Sequence, residues 1–246
     1  MKRTEFFLFF LIVFTIFLIF PTPTQGQTQE QQIRPALLEQ PMPDFTLPSY
    51  QGPEVRLSGL KGKNVMIIFP RGYAGPDRWC TICNYKYVEL VELEKSQKLR
   101  KKYNLEILVV FPYPRETVKI WLESLPDQMA KIKNWKYPQN PDQLDEKGKQ
   151  SIERYRRLFP KDFSVSKDNL PMPFPILIDG DHKISSGLGL FSTNWNGSQV
   201  EQNIPSVFLL DDQGIVRFKY LGQNTLDRPS YEYLFKILEM IKQKKL

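Results

Sequence analysis

The sequence predicts an α/β fold: a mixed central sheet flanked by helices, with an N-terminal hairpin and a helical insertion. Three observations carry this expectation. Short apolar runs of strand length recur at 65–69, 105–111, 174–178 and 204–210, the pattern of strands covered on both faces. Helical stripes stand between several of them, giving a strand–helix–strand order. The last two strands are joined by the tight Asp211-Asp212-Gln213-Gly214 turn, which makes the end of the sheet antiparallel.

The chain opens with Lys2 and Arg3, continues with an apolar run over 6–20, and reaches Pro21, Pro23 and Gly26. A basic start, a short apolar stretch and a small polar exit describe a secretory signal peptide over 1–26. The run falls short of the roughly 20 residues of a spanning helix, although a retained N-terminal anchor is the competing reading. Both place the body outside the cytoplasm, periplasmic or secreted, with membrane contact only if the segment is kept. Residues 27–41, rich in Gln, Pro and Glu, read as a linker, and 42–246 as one domain.

Within that domain, 43–48 and 55–57 flank the Gln51-Gly52-Pro53 turn and alternate as a half-buried hairpin. The strand 65–69 leads into a Pro- and Gly-containing loop over 70–78, which delivers the chain to Cys80 and Cys83. Tyr87, Leu90, Val91 and Leu93 then fall at helical spacing, so the two cysteines open a helix. Strand 105–111 completes a βαβ unit, expected to be parallel with a right-handed crossover. A helix is expected over 115–125. The stretch 126–172, with Trp135, Tyr155, Phe159, several prolines and a charged helix over about 143–158, reads as an insertion capping one edge of the domain. Tyr231, Leu234, Phe235, Leu238 and Ile241 give the closing helix its inward face.

The formal charge of +7 raises nucleic acid or an anionic membrane as a partner. Lysines and arginines are, however, scattered or interleaved with acids, and export removes most nucleic-acid partners. The single histidine, His182, argues against a multi-histidine metal enzyme, and its Asp-Gly-Asp-His-Lys setting reads as a turn. Asn196-Gly197-Ser198 fits a glycosylation acceptor, relevant only where the source glycosylates exported proteins.

The only two cysteines lie in Trp79-Cys80-Thr81-Ile82-Cys83. A disulfide closing so short a gap constrains the unfolded chain little, so structural stapling does not account for the pair. A thiol reacts as thiolate, and a helix N-terminus aims unpaired N–H groups at a sulfur placed there. The spacing puts the second sulfur within reach of the first, with Cys80 expected exposed and attacking, Cys83 inward and resolving, and Trp79 shielding the pair.

These residues resemble known ones. Trp79-Cys80-x-x-Cys83 at a strand-to-helix junction is similar to the active site of the thioredoxin-like superfamily, and Ile204-Pro205-Ser206 to the Ile-cis-Pro segment beside it. Pro43-Asp44-Phe45-Thr46-Leu47, Leu57-Ser58-x-Leu60-Lys61-Gly62-Lys63 and Phe208-Leu209-Leu210-Asp211-x-x-Gly214-x-Val216-Arg217 resemble the alkyl hydroperoxide reductase and thiol-specific antioxidant (peroxiredoxin-like) branch. The resemblance implies a thioredoxin-like fold, with Cys80, Cys83, Pro205 and Arg71 catalytic and Trp79 and Ile204 at the substrate. Arg71, in an expanded Arg-Gly-x-x-Cys-Pro-x-Cys pattern, is expected to stabilise a thiolate or sulfenate; Arg78 is a second candidate. Peroxiredoxins commonly place Pro seven and Thr or Ser three residues before the reactive cysteine. Those places hold Tyr73 and Asp77 before Cys80, and Pro76 and Cys80 before Cys83.

The expected function is an extracytoplasmic thiol oxidoreductase cycling Cys80 and Cys83 between dithiol and disulfide. It would reduce protein disulfides or peroxides with electrons from a partner thiol reductase and no cofactor. The alternative is a non-catalytic protein: a dithiol copper carrier, with or without His182 as a further ligand, or an interaction module with an inert disulfide.

Overall fold

A computed structural model describes residues 34–245; the expected signal or anchor over 1–26 lies outside the described residues. In chain order the elements are β1 (Thr46–Leu47), β2 (Val55–Arg56), a 3-10 turn (Leu57–Leu60), β3 (Asn64–Phe69), β4 (Tyr73–Gly75) and β5 (Arg78–Trp79). Next come α1 (Thr81–Gln97), α2 (Leu99–Lys102), β6 (Leu105–Phe111), α3 (Arg115–Lys136), a 3-10 turn (Pro141–Gln143), α4 (Glu146–Leu158) and β7 (Ile176–Ile178). The chain closes through α5 (Lys183–Gly187), β8 (Phe191–Ser192), β9 (Gln202–Asn203), β10 (Ser206–Leu210), β11 (Val216–Leu221) and α6 (Tyr231–Lys242).

The central sheet has five strands in the order β11-β10-β3-β6-β7. β3, β6 and β7 run parallel, while β10 is antiparallel to both β3 and β11, as the apolar runs and the terminal turn foretold. Alternation along each strand divides the core into two layers. Met66, Ile107, Val109, Val207 and Leu209 meet the layer of α1, α3 and α6. Val65, Ile67, Leu108, Phe208 and Leu210 meet a second layer built on Phe45, Leu57 and α5.

Three features depart from the sequence reading. The expected linker over 27–41 lies outside the described residues as far as 33, but its last part belongs to the fold. Ala36 is buried, Glu39 N donates to Val216 O at 2.9 Å, Val216 N to Gln40 O at 2.9 Å and Met42 N to Gly214 O at 3.0 Å. These bonds occupy backbone groups at the outer strand β11, which would otherwise offer an open edge.

The helix expected to stop at Leu125 instead runs to Lys136 with Pro126 inside it. An interior proline costs about 3 kcal/mol through its missing N–H. Leu125, Pro126, Met129 and Ile132 are all buried, so the apolar face crosses the proline without interruption and offsets that cost.

The insertion, expected to cap one edge of the domain, lies over α1. Tyr85 meets Phe159 and Phe163, each with ring centroids 5.1 Å away. Its hydroxyl accepts from Lys161 N at 2.8 Å, and the Tyr87 hydroxyl donates to Pro171 O at 2.6 Å. α1 therefore carries large side chains on more than one face, because it is covered from both sides.

Candidate active site: a buried dithiol between two arginines

The site begins at Gly72, whose φ of +77° is a left-handed conformation suited to glycine. A Cβ there would overlap the Tyr113 ring and hydroxyl. That hydroxyl instead accepts from Tyr73 N at 2.8 Å and donates to Glu201 O at 2.8 Å, so one buried phenol joins the loop before β4 to the segment before β9. Gly72 O accepts from Cys80 N at 2.8 Å, fixing where the helix starts. Trp79 stacks on Tyr73 at 4.0 Å and 12° and meets Tyr113 edge-on at 6.0 Å. Its indole is thus a wall beside the dithiol.

Cys80 is the N-cap of α1: its sulfur accepts from Cys83 N at 3.4 Å. Both cysteines are free thiols and both are buried, 3% and 7% exposed respectively. The expectation of an exposed Cys80 is therefore not met. The 70–78 loop folds back as the β4–β5 hairpin and closes over the helix end.

The surroundings of the two sulfurs differ. Cys83 Sγ accepts from Arg71 N at 3.4 Å and from Arg228 Nη2 at 3.4 Å. Burial opposes its ionisation, but the Cys80 hydrogen bond, the charge and hydrogen bond of Arg228 and the Arg71 N–H outweigh burial and hold the thiol well below its usual range. Cys80 moves the opposite way. Its hydrogen bond to Cys83, its burial and the negative charge on Cys83 push it well up, against the pull of Arg228 at 3.7 Å. The two shifts run in opposite directions, so Cys83 is the more readily ionised of the pair and Cys80 the one that more readily keeps its proton.

Arg228 was not singled out in the sequence, and nothing but its Pro229 neighbour just before the closing helix marks it there. The loop that carries it is tied by Asp227, whose carboxylate accepts from Tyr220 Oη and Gln223 N, both at 2.8 Å, and from Asn224 N at 3.1 Å. Arg228 Nη1 also donates to Asp227 O. Burial weakens the Arg228 cation, yet the two sulfurs more than restore it. Among the described residues its Nε is buried without a hydrogen-bond partner.

Arg71 reaches the site differently from expectation. It offers Cys83 its backbone N–H, while its guanidinium donates to Gln202 Oε1 at 2.7 Å and Ser198 Oγ at 2.6 Å and lies 5.2 Å from the Trp195 ring. Ser198 of the Asn-Gly-Ser run is therefore part of this support. Asn196 and Gly197, both at positive φ, form the turn that places it.

Ile204 and Pro205 lie beside the site. Among the described residues no peptide bond is cis, so the cis geometry implied by the resemblance at Pro205 is corrected. In the trans form Ile204 N donates to Leu190 O at 2.6 Å and Pro205 O accepts from Gly222 N at 2.8 Å. Those bonds satisfy the segment, and a prolyl bond has only a small intrinsic preference to overcome either way. Pro205 does line, with Cys83, Arg228 and Tyr231, a cavity of about 50 Å³. Cys80 instead lines a separate groove of about 480 Å³.

Arg78 is exposed on the rim of that groove. His182 stacks on Phe191 at 4.0 Å, with Glu201 3.8 Å from its Nε2. Among the described residues no group of three or more His, Cys, Asp or Glu side chains is gathered to hold a metal.

A mixed sheet with a dithiol opening its first major helix defines a thioredoxin-like redox protein. Residues 38–219 match the AhpC/TSA family model, and the chain belongs to the AhpC/TSA family. A peroxiredoxin 6 of Arenicola marina, crystallised as a cysteine-to-serine mutant, superposes with a TM-score of 0.54 at 12% identity, covering 85% of this chain and 74% of its own. The reduced 2-Cys peroxiredoxin of Plasmodium vivax gives 0.50 at 16% identity, covering 86% and 84%. Thiol peroxidases of two Helicobacter pylori strains are 53% identical over 34 residues, a stretch that spans 14% of this chain and 20% of theirs.

Proposed function

We propose that this protein is an extracytoplasmic thiol peroxidase in which Cys83 attacks the peroxide and Cys80 resolves the product. The observation that carries the reading is the convergence of the Arg228 guanidinium and the Arg71 N–H on Cys83 Sγ, each at 3.4 Å. The roles are thus exchanged relative to the order expected from the sequence. The N-terminal basic and apolar pattern supports export.

The Cys83 thiolate attacks one peroxide oxygen and the O–O bond breaks. Cys83 becomes a sulfenic acid, and the departing oxygen takes a proton to leave as water or an alcohol. The unpartnered Arg228 Nε is a donor available to that oxygen as its charge develops. The cavity of about 50 Å³ beside Cys83 has room for a molecule the size of hydrogen peroxide, with Arg228 among its mostly apolar lining. The Cys80 sulfur then displaces water from the sulfenic acid and closes the disulfide, consistent with Cys80 keeping its proton until Cys83 has been oxidised. Electrons from an external thiol donor restore the dithiol.

Stopped-flow oxidation of the reduced chain by hydrogen peroxide tests this. Cys83→Ser is expected to abolish the fast reaction. Cys80→Ser is expected to keep the first step and stop at a sulfenic acid, detectable by a dimedone adduct. Fast oxidation retained in Cys83→Ser would overturn the assignment. Slow reaction with peroxide but rapid exchange with a small disulfide would replace peroxidase activity by disulfide exchange.

A further inference from the structure

The groove of about 480 Å³ that faces Cys80 is walled on one side by the insertion, through Trp135, Tyr155, Leu158 and Phe159. Its charge is one-sided. Arg78, Lys131 and Arg154 line it, with Asp77 the one acid among the lining residues. Among the described residues none of the three cations has a carboxylate within ion-pair distance, whereas Arg156 two residues away pairs with Glu153 at 2.8 Å. Lys131 Nζ lies 5.2 Å from the centroid of the Trp135 ring. The groove is therefore basic and aromatic, and it ends on a sulfur 3% exposed. Its size falls within the range of small-molecule sites. So deep a sulfur is reached more readily by a slender thiol than by a cysteine fixed on a folded surface.

We propose that this groove is the entry for the reductant, and that the reductant is a small peptide-like thiol carrying carboxylates, which pair with Arg78, Lys131 and Arg154 while its sulfur meets Cys80. The inference rests on the dithiol–disulfide cycle proposed above but not on the oxidant that drives it. The donor thiolate attacks Cys80 Sγ, the Cys80–Cys83 bond breaks, and Cys83 leaves as the thiolate that Arg228 and the Arg71 N–H already stabilise. A second donor thiolate then attacks the donor sulfur of the mixed disulfide. Cys80 takes up a proton, and two donor molecules leave joined by a disulfide, so two electrons have entered the protein. Departure of the more acidic thiol is the faster direction of exchange. Oxidant and reductant thus use separate spaces, peroxide the Cys83 cavity and donor the Cys80 groove.

The test uses the full chain oxidised with diamide, so that no peroxide step is involved. Reduction is followed by stopped flow with glutathione, 2-mercaptoethanol and cysteamine at matched thiolate concentration. Glutathione is expected to exceed the neutral thiol by about tenfold, the combined effect of two or three exposed charge pairs, and to lose that advantage at high salt. The Lys131→Gln/Arg154→Gln variant should narrow the ratio of the glutathione rate to the 2-mercaptoethanol rate. Acid-quenched intermediates should carry glutathione on Cys80. Equal rates for the three thiols, glutathione mapped to Cys83, or a dithiol protein far outpacing glutathione would each overturn the proposal. Failure of the peroxide experiment alone would leave it standing.

Discussion

Arg228 Nη2 lies 3.4 Å from Cys83 Sγ and 3.7 Å from Cys80 Sγ, so one guanidinium spans both sulfurs of the dithiol. Because its side chain is only 9% exposed, its field is poorly screened. Replacing it by methionine keeps the stem and removes the charge. Arg228→Met is expected to raise the Cys83 thiol by at least about one pKa unit and to slow peroxide oxidation by tenfold or more, on the order of the thiolate fraction lost at mildly acid pH plus the missing oxyanion donor. Ultraviolet thiolate titration, read beside the stopped-flow rate, checks this. An unchanged titration would remove Arg228 from the site.

The pH dependence follows from the opposed shifts. Cys83 is brought down to about 5 from an ordinary value of 9.0, so oxidation by peroxide should rise with pH through the region of 5 and be flat near neutrality. For stability, the unfolded chain binds the Cys83 proton that the folded chain has lost, so this contribution grows as pH rises between those two values and vanishes below the lower one. Cys80, shifted upward, acts in the other direction: its contribution is present below its unfolded value and is lost as pH rises further. Urea denaturation of the reduced protein, compared with Cys83→Ser across pH, isolates the first effect. A difference between the two that does not change with pH would contradict it.

Gly72→Ala introduces a Cβ into the Tyr113 ring at a left-handed backbone position. A loss of about 2–4 kcal/mol is expected from overpacking plus backbone strain, measured by chemical denaturation. Tyr113→Ala added to it should recover the steric part and leave the strain. If the single variant is as stable as the parent, the Gly72–Tyr113 contact does not fix the loop.

Gln202 is fully buried and accepts from Arg71 Nε at 2.7 Å. Gln202→Leu would leave that donor facing carbon, at a cost of about 2–3 kcal/mol for a buried charged group deprived of its partner. Gln202→Glu restores an acceptor and should recover most of the loss. Equal destabilisation by both variants would show that packing, not Arg71, is what Gln202 serves.

The strands, their order and the dithiol at a helix start were legible because they rest on local patterns: unbroken apolar runs, a tight Asp-Asp-Gln-Gly turn, and two cysteines one helical turn apart. The inequality of the two sulfurs was not. Helix-end reasoning favours whichever cysteine comes first, and what reverses it is Arg228, which meets Cys83 from 145 positions along the chain. Arg71 was visible as a residue but not as a backbone donor, since the partners that turn its guanidinium away, Ser198 and Gln202, are equally remote in sequence. Pro126 read as a helix stop because proline is costly there, and only the buried Met129 and Ile132 beyond it reveal the compensation. The trans bond before Pro205 likewise depends on Leu190 and Gly222, whose hydrogen bonds no local pattern announces.

Cys80 closes the first turn of α1 with the same sulfur that takes part in the proposed chemistry. A serine or aspartate at that position would be an inert fastener; here the fastener is consumed and renewed. When that sulfur enters a disulfide, the Cys83 amide faces a different and weaker acceptor, beside a groove that the insertion's aromatic residues also line. Catalytic history would thus be written into the backbone as a change in amide exchange at one helix end, a signal that another molecule could read without touching either sulfur.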